Sequence, residues 1–158
     1  MSQDIFLKIK GIEGESQDTA HLNEIDIISW TWSISQDSAM LSGSGGGAGK
    51  STVADIALTH NIDRSSPNLA RYCFTGKHIG EAVLTMRKAG GTPFEYARLT
   101  MSDVVISHFS PFVGGALCQE NFRLSFARIK YEYMLQNPFG GSGGTVTALV
   151  DVRENRSV

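Results

Sequence analysis

The chain has 158 residues, 41% hydrophobic and 19% charged, with 14 Lys+Arg against 16 Asp+Glu and a net charge of −2. That length suits one domain, residues 1–158, able to bury about 68–70% of its unfolded surface in one core. The near-neutral balance argues against nucleic acid or an anionic membrane as partner. No apolar run approaches the roughly 18–20 residues of a membrane span. The opening Met1-Ser2-Gln3-Asp4-Ile5-Phe6 lacks the basic and apolar regions of a secretory signal. Synthesis in the cytoplasm, without export by the general secretory route, is expected.

In chain order, Ile5, Leu7 and Ile9 alternate with Phe6, Lys8 and Lys10, predicting a first strand with one partly wet face. A polar turn region over 11–18 follows. Apolar residues resume at Leu22, Ile25 and Ile27, and the phase flips at Ile28, which predicts a β-bulge near Ile27-Ile28. From Ile28 to Ser35, Ile28, Trp30, Trp32 and Ile34 alternate with the short hydroxyls Ser29, Thr31, Ser33 and Ser35. Each indole can bury about 150–250 Å², so the Trp face is expected to point into a core. The opposite face carries neither charge nor bulk, which suits contact with a subunit, a ligand or a confined lumen as well as with open solvent.

Residues 36–52 form a long Gly/Ser-rich excursion containing Gly43, Gly45, Gly46, Gly47 and Gly49. Strand character returns over 54–62, with Ile56, Leu58, His60 and Ile62 on one face. The stretch from Ser65 to Gly76 predicts one short helix, capped by Ser66, with Pro67 in its first turn, Gly76 at its end and Leu69, Tyr72 and Cys73 on one face. Further strands are expected over 82–88, 94–109, 121–136 and 145–152. The polar block Thr100, Ser102 and Asp103 interrupts the second of these. The third changes phase between Phe122/Leu124/Phe126 and Ile129/Tyr131/Tyr133. Residues 111–115 and 140–144 read as turns. The pattern is that of a mainly β protein, an antiparallel barrel or sandwich with one helix.

Chemistry is suggested and mostly refused. Ser44-Gly45-Gly46-Gly47-Ala48-Gly49-Lys50-Ser51 imitates a phosphate-binding loop, but Ser44 stands where the motif needs Gly and the flanks alternate like strands. His21, His60, His78 and His108 are scattered without metal-ligand spacing and read as surface or satisfied polar groups. No nucleophile elbow is present. Glu13, Glu15, Asp18, Glu24 and Asp26 read as solvated turn and edge charges rather than an acid/base pair. Cys73 and Cys118 are expected as free, core-filling thiols, although spacing alone leaves a disulfide open. These features describe a non-enzymatic protein without cofactor or metal.

Gly14-Glu15-Ser16, His21, Glu24-Ile25-Asp26 and Trp30-x-Trp32 resemble the start of Hcp proteins, the tube proteins of bacterial type VI secretion. The resemblance runs on through Gly45–Lys50, Ile62-Asp63, Ser66-Pro67-Asn68-Leu69, Gly76-Lys77-His78, Ala82 to Gly91, and Phe126-Ala127 with Tyr131. It implies a small antiparallel β-barrel with one short helix and a long Gly-rich extended loop. It further implies head-to-tail hexameric rings that stack into an expelled inner tube, leave the producing cell and carry small effectors in the lumen. Sheath and spike-tip proteins of the same machine would be partners. Under that resemblance Ser29, Thr31 and Ser33 are the expected lumen and effector contacts. Met40, Leu41, Gly45, Gly46, Gly47 and Lys50 are the expected subunit and ring-stacking contacts. The alternative is a free-standing β-sandwich that stacks sugars on Trp30 and Trp32.

Overall fold

The computed structural model describes residues 2–37, 50–90, 92–139, 142–154 and 156–157. Among the described residues there are eleven strands and one helix: β1 Gln3–Ile9, β2 Ile25–Asp26, β3 Ser29–Thr31, β4 Ile34–Gln36, β5 Ser51–Val53, β6 Ile56–Asn61, α1 Ser66–Thr75, β7 Ile79–Lys88, β8 Phe94–Gly114, β9 Leu117–Gln136, β10 Ser142–Asp151 and β11 Arg156–Ser157. The main sheet runs β11-β10-β9-β8-β7-β1-β2, with β6 joined to β9 and β3 joined to β6. Every pairing is antiparallel. The class is therefore mainly β with one short helix, as expected. Among the described residues the hydrogen-bonded path is open, not closed end to end. One apolar core collects Leu7, Ile25, Ile56, Leu58, Leu69, Leu84, Leu99, Met101, Ile106, Phe122 and Leu124, all essentially inaccessible.

The phase flip at Ile27-Ile28 has a different cause from a bulge. The Ile27 N–H donates to Ile5 O on β1 at 2.9 Å, and the next N–H, of Ile28, donates to Thr59 O on β6 at 2.8 Å. The chain leaves one strand and joins another between adjacent residues, so Ile27 is buried (7% exposed) and Ile28 is not (47%). The eight-residue strand expected from alternation is broken too. β3 ends at Thr31, and β4 restarts at Ile34 as one arm of a separate two-stranded ribbon with β5. Ile34, expected in the core, is therefore exposed. Residues 38–49, between the two strands of that ribbon and within the expected 36–52 excursion, lie outside the described residues.

The phase change in β9 coincides with a change of neighbour. Residues up to Leu124 pair with β6, whereas Arg128 onward pair with β10. Opposite, in β8, Asp103 takes a left-handed φ of 55°, a conformation a short polar side chain tolerates. Buried positions shift there from Ala97, Leu99 and Met101 to Val104 and Ile106. The polar block read in the sequence is thus where the strand turns over.

Helix α1 ends as expected at Gly76, left-handed with φ 66°. Its start differs. Ser65 is the N-cap and makes no side-chain capping bond. Ser66 lies within the first turn, and its hydroxyl accepts from the Asp63 N–H at 3.1 Å. Leu69 is buried, with Tyr72 and Cys73 half-buried against the core.

The outer side of β1 and β7 is drier and more charged than alternation predicted. Phe6 is buried, stacked on the His21 ring at 4.3 Å between centroids, with the Arg87 guanidinium 4.9 Å from the Phe6 ring. Arg87 reaches Asp18 at 2.5 Å and Asp4 at 2.9 Å. His21 lies between Glu24 at 2.9 Å and Glu95 at 3.1 Å. The hydrogen bond from Arg87, ahead of a bond from the Ala20 N–H, holds the Asp18 carboxyl down at about 2 despite desolvation. Asp18 and Glu24, expected as solvated turn charges, are members of this network. Gly14 is confined for a separate reason. A Cβ there would meet the Glu24 carbonyl oxygen at 2.5 Å, because the Gly14 N–H donates to Asn23 O across a tight pair of chains.

Candidate functional site

The sheet formed by β3, β6, β9 and β8 has two unlike sides, set by register. On the inner side Trp30, Leu58, Phe122 and Phe109 lie in one row. Next to that row His60 and Glu120 face each other, both buried, with Nε2 2.7 Å from Oε1. On the outer side the corresponding rows are Ser29–Thr59–Asn121–Ser110 and Thr31–Ala57–Arg123–His108. Asn61 and Gln119 continue this polar surface.

These outer residues are small and mostly uncharged. Ser29, Thr31 and Ser33 are all exposed, as the alternation predicted. Thr59 Oγ1 donates to Asn121 Oδ1 at 2.7 Å. Two shallow concavities adjoin on this side. One, of about 200 Å³, is lined by Ser29, Thr31, Thr59, His108, Asn121 and Arg123 among others. The other, of about 360 Å³, includes Thr31, Ser33, Asp55 and Arg123. A register shift between Ile106 and His108 frees Ser107, whose hydroxyl donates to Asp55 Oδ2 at 2.6 Å. The Arg123 and His108 side chains make no hydrogen bond or ion pair with another described residue.

The indoles are spent on packing. Both are half-buried against the core. Trp32 donates from Nε1 to Ala54 O at 2.9 Å and meets Phe126 and Tyr131 edge-on, each with centroids 6.3 Å apart. An edge-on, hydrogen-bonded indole is not a free stacking platform, which counts against a sugar-binding surface at Trp30 and Trp32.

Among the expected loop contacts, Met40, Leu41, Gly45, Gly46 and Gly47 lie outside the described residues. Lys50 is exposed immediately before β5. Ser51 begins a strand paired with Gln36, where a phosphate-binding loop would open a helix. Both cysteines are free. Cys118, expected to fill the core, is instead exposed near the β8–β9 turn. Among the described residues no group of three or more His, Cys, Asp or Glu is arranged to hold a metal, and no helix is long and apolar enough to cross a membrane. Sequence reasoning missed Arg123 and His108. They stand 15 residues apart on different strands and meet only through the β8–β9 register.

The chain is mainly β, with a hydroxyl-lined outer face and apolar residues exposed on its hairpins, such as Val113 (82%) and Phe139 (97%), the kind of patch that marks a contact surface. Residues 6–133 match the family model described as "Type VI secretion system effector, Hcp". The chain is 42% identical to "Protein hcp1" of Pseudomonas aeruginosa, with 98% of each chain covered. It superposes on Hcp1 from Salmonella typhimurium with a TM-score of 0.84 at 44% identity, covering all of both chains. With a type VI secretion system effector from Yersinia pestis the TM-score is 0.79 at 35% identity, over 94% of this chain and all of the other. The chain belongs to the Hcp family and is a structural tube component of the type VI secretion system.

Proposed function

We propose that this chain is a one-domain subunit that assembles head-to-tail into hexameric rings, which stack into the expelled inner tube and carry small effectors. The observation that carries the reading is the outer face of β3-β6-β9-β8. Ser29, Thr31, Thr59, Asn121 and Ser110 line up there by register, directly behind the core row Trp30–Leu58–Phe122. A channel wall must stay wet, leave room and not trap what passes; short hydroxyls and amides meet those requirements better than Lys, Glu or large apolar groups.

Three further features support the assembly. Residues 25–31 lean on β1 at one end and on β6 at the other; in our reading this segment completes a small barrel where the sheet ladder stops. Val113, Leu117, Phe139 and Val146 are exposed apolar groups on the two long hairpins, and burial between subunits removes them from water. The β4–β5 ribbon flanks residues 38–49, and we assign Met40, Leu41, Gly45, Gly46, Gly47 and Lys50 to contacts with adjoining subunits and rings. Sheath and spike-tip proteins complete the set of partners. Release from the cell then follows tube expulsion and needs no signal peptide.

Light scattering after size exclusion tests the ring: six times the 17.1 kDa chain mass is expected, and a monomer at working concentration overturns the proposal. Thr31 is the residue on which the lumen reading stands. Thr31→Gln should preserve the ring and abolish co-purification of effectors. Unchanged effector capture by that variant refutes the lumen assignment.

A further inference from the structure

Arg123 and His108 interrupt an otherwise nearly uncharged wall. They are cross-strand partners on β9 and β8, in the row that continues from Thr31 through Ala57. Arg123 borders both concavities of the hydroxyl face, and His108 borders the smaller one. Among the described residues most other guanidiniums meet a carboxylate: Arg64 with Glu13, Arg87 with Asp4 and Asp18, Arg98 with Glu95, Arg128 with Asp151, Arg153 with Asp103, while Arg71, on the helix, reaches the Asn68 amide oxygen. Arg123 has no such carboxylate among the described residues. Asp55 lines the larger concavity with it, yet receives the Ser107 hydroxyl and forms no ion pair with Arg123.

We propose that Arg123, with His108 beside it, is a carboxylate anchor that selects polypeptide cargo presenting Asp or Glu to the hydroxyl face. The inference rests on the reading of that face as the lumen wall. A guanidinium offers a planar fork of donors that pairs with a carboxylate through two parallel hydrogen bonds. Thr31, Ser29 and Asn121 supply neutral donors and acceptors at its rim, suited to the neighbouring peptide backbone and short polar side chains. One cation per subunit, with the Asp55 carboxylate lining the same recess, matches isolated acidic side chains better than a continuous phosphate backbone, which needs a run of cations. In a ring the anchors repeat around one channel, so a cargo with several acidic side chains engages more than one and gains avidity.

The test uses the assembled full-length chain and two fluorescein-labelled decapeptides, alternating Glu-Ser and alternating Gln-Ser, read by fluorescence anisotropy at low and high salt. The Glu peptide should bind in a salt-sensitive manner and the Gln peptide should not. Arg123→Gln should weaken Glu-peptide binding roughly tenfold or more, Arg123→Lys should retain part of it, and His108→Gln should cost less than Arg123→Gln. Light scattering confirms that each variant keeps the wild-type assembly size. Equal binding of both peptides, an unaltered Glu-peptide affinity in Arg123→Gln, or tighter binding of a single-stranded oligonucleotide of equal charge each overturns the anchor. The two readings fail separately. If Arg123→Gln is silent while Thr31→Gln still blocks effector capture, the anchor is wrong and the lumen stands. If Arg123→Gln weakens peptide binding while Thr31→Gln leaves effector capture intact, the lumen assignment falls, and Arg123 is overturned as a selector of cargo although it still binds carboxylates.

Discussion

The outer side of β1 and β7 and the outer side of β3-β6-β9-β8 belong to one sheet yet solve opposite problems. On the first, Phe6 lies under a lid of charge in which Arg87 pairs with Asp4 and Asp18 through its terminal nitrogens, and His21 with Glu24 and Glu95. On the second, Ser29, Thr31, Thr59 and Asn121 expose short polar groups, and Arg123 has no carboxylate partner among the described residues. A face that pairs its own charges contributes to stability and has little left to offer a partner. A face that leaves them open contributes little to stability and is available for contact.

The contrast breaks most readily at Arg87. Arg87→Ala removes the partner of two carboxylates and uncovers Phe6, so chemical denaturation should register a loss of about 2–3 kcal/mol. A loss under about half a kcal/mol would mean that the charged lid is ornamental. Acid probes the same face more gently. Asp18 is held at about 2 in the fold by Arg87, below its ordinary value. Its contribution is therefore present above about pH 4 and is lost as pH falls through about 2. Wild type should lose roughly 1 kcal/mol across that window after allowance for solvent screening. In Asp18→Asn that part of the pH dependence should vanish, while stability near neutrality drops by a similar amount. The smallest effects belong to the hydroxyl face. Thr31→Gln and Arg123→Gln should each move unfolding free energy by no more than about 0.5 kcal/mol, whatever they do to cargo. A large drop in either would make that face structural rather than functional.

Legibility in the sequence followed the range of the interaction. The helix boundary at Gly76, the core positions Ile56, Leu58 and Leu124, and the exposure of Ser29, Thr31 and Ser33 all follow from local period and turn chemistry. Both phase changes were also visible, because a switch in which side is apolar must leave a mark at Ile27-Ile28 and near Phe126. Their meaning was not. A bulge and a change of neighbouring strand leave the same trace in one dimension, and only the bonds from Ile27 to Ile5 and from Ile28 to Thr59 separate them. Ile28 and Ile34 read as core for the same reason: alternation records which side a residue takes, but not whether anything covers that side.

By itself the sequence determined the class of the protein, its family and the chemistry on each side of its strands, since these depend on residue type and on neighbours two to four positions away. The tertiary structure alone decided which distant residues share a row. His60 meets Glu120, Arg87 meets Asp18, and Arg123 stands beside His108 through pairings across 60, 69 and 15 positions. Such meetings are set by strand register, a property of two chain segments jointly, and a period measured along one segment does not contain it.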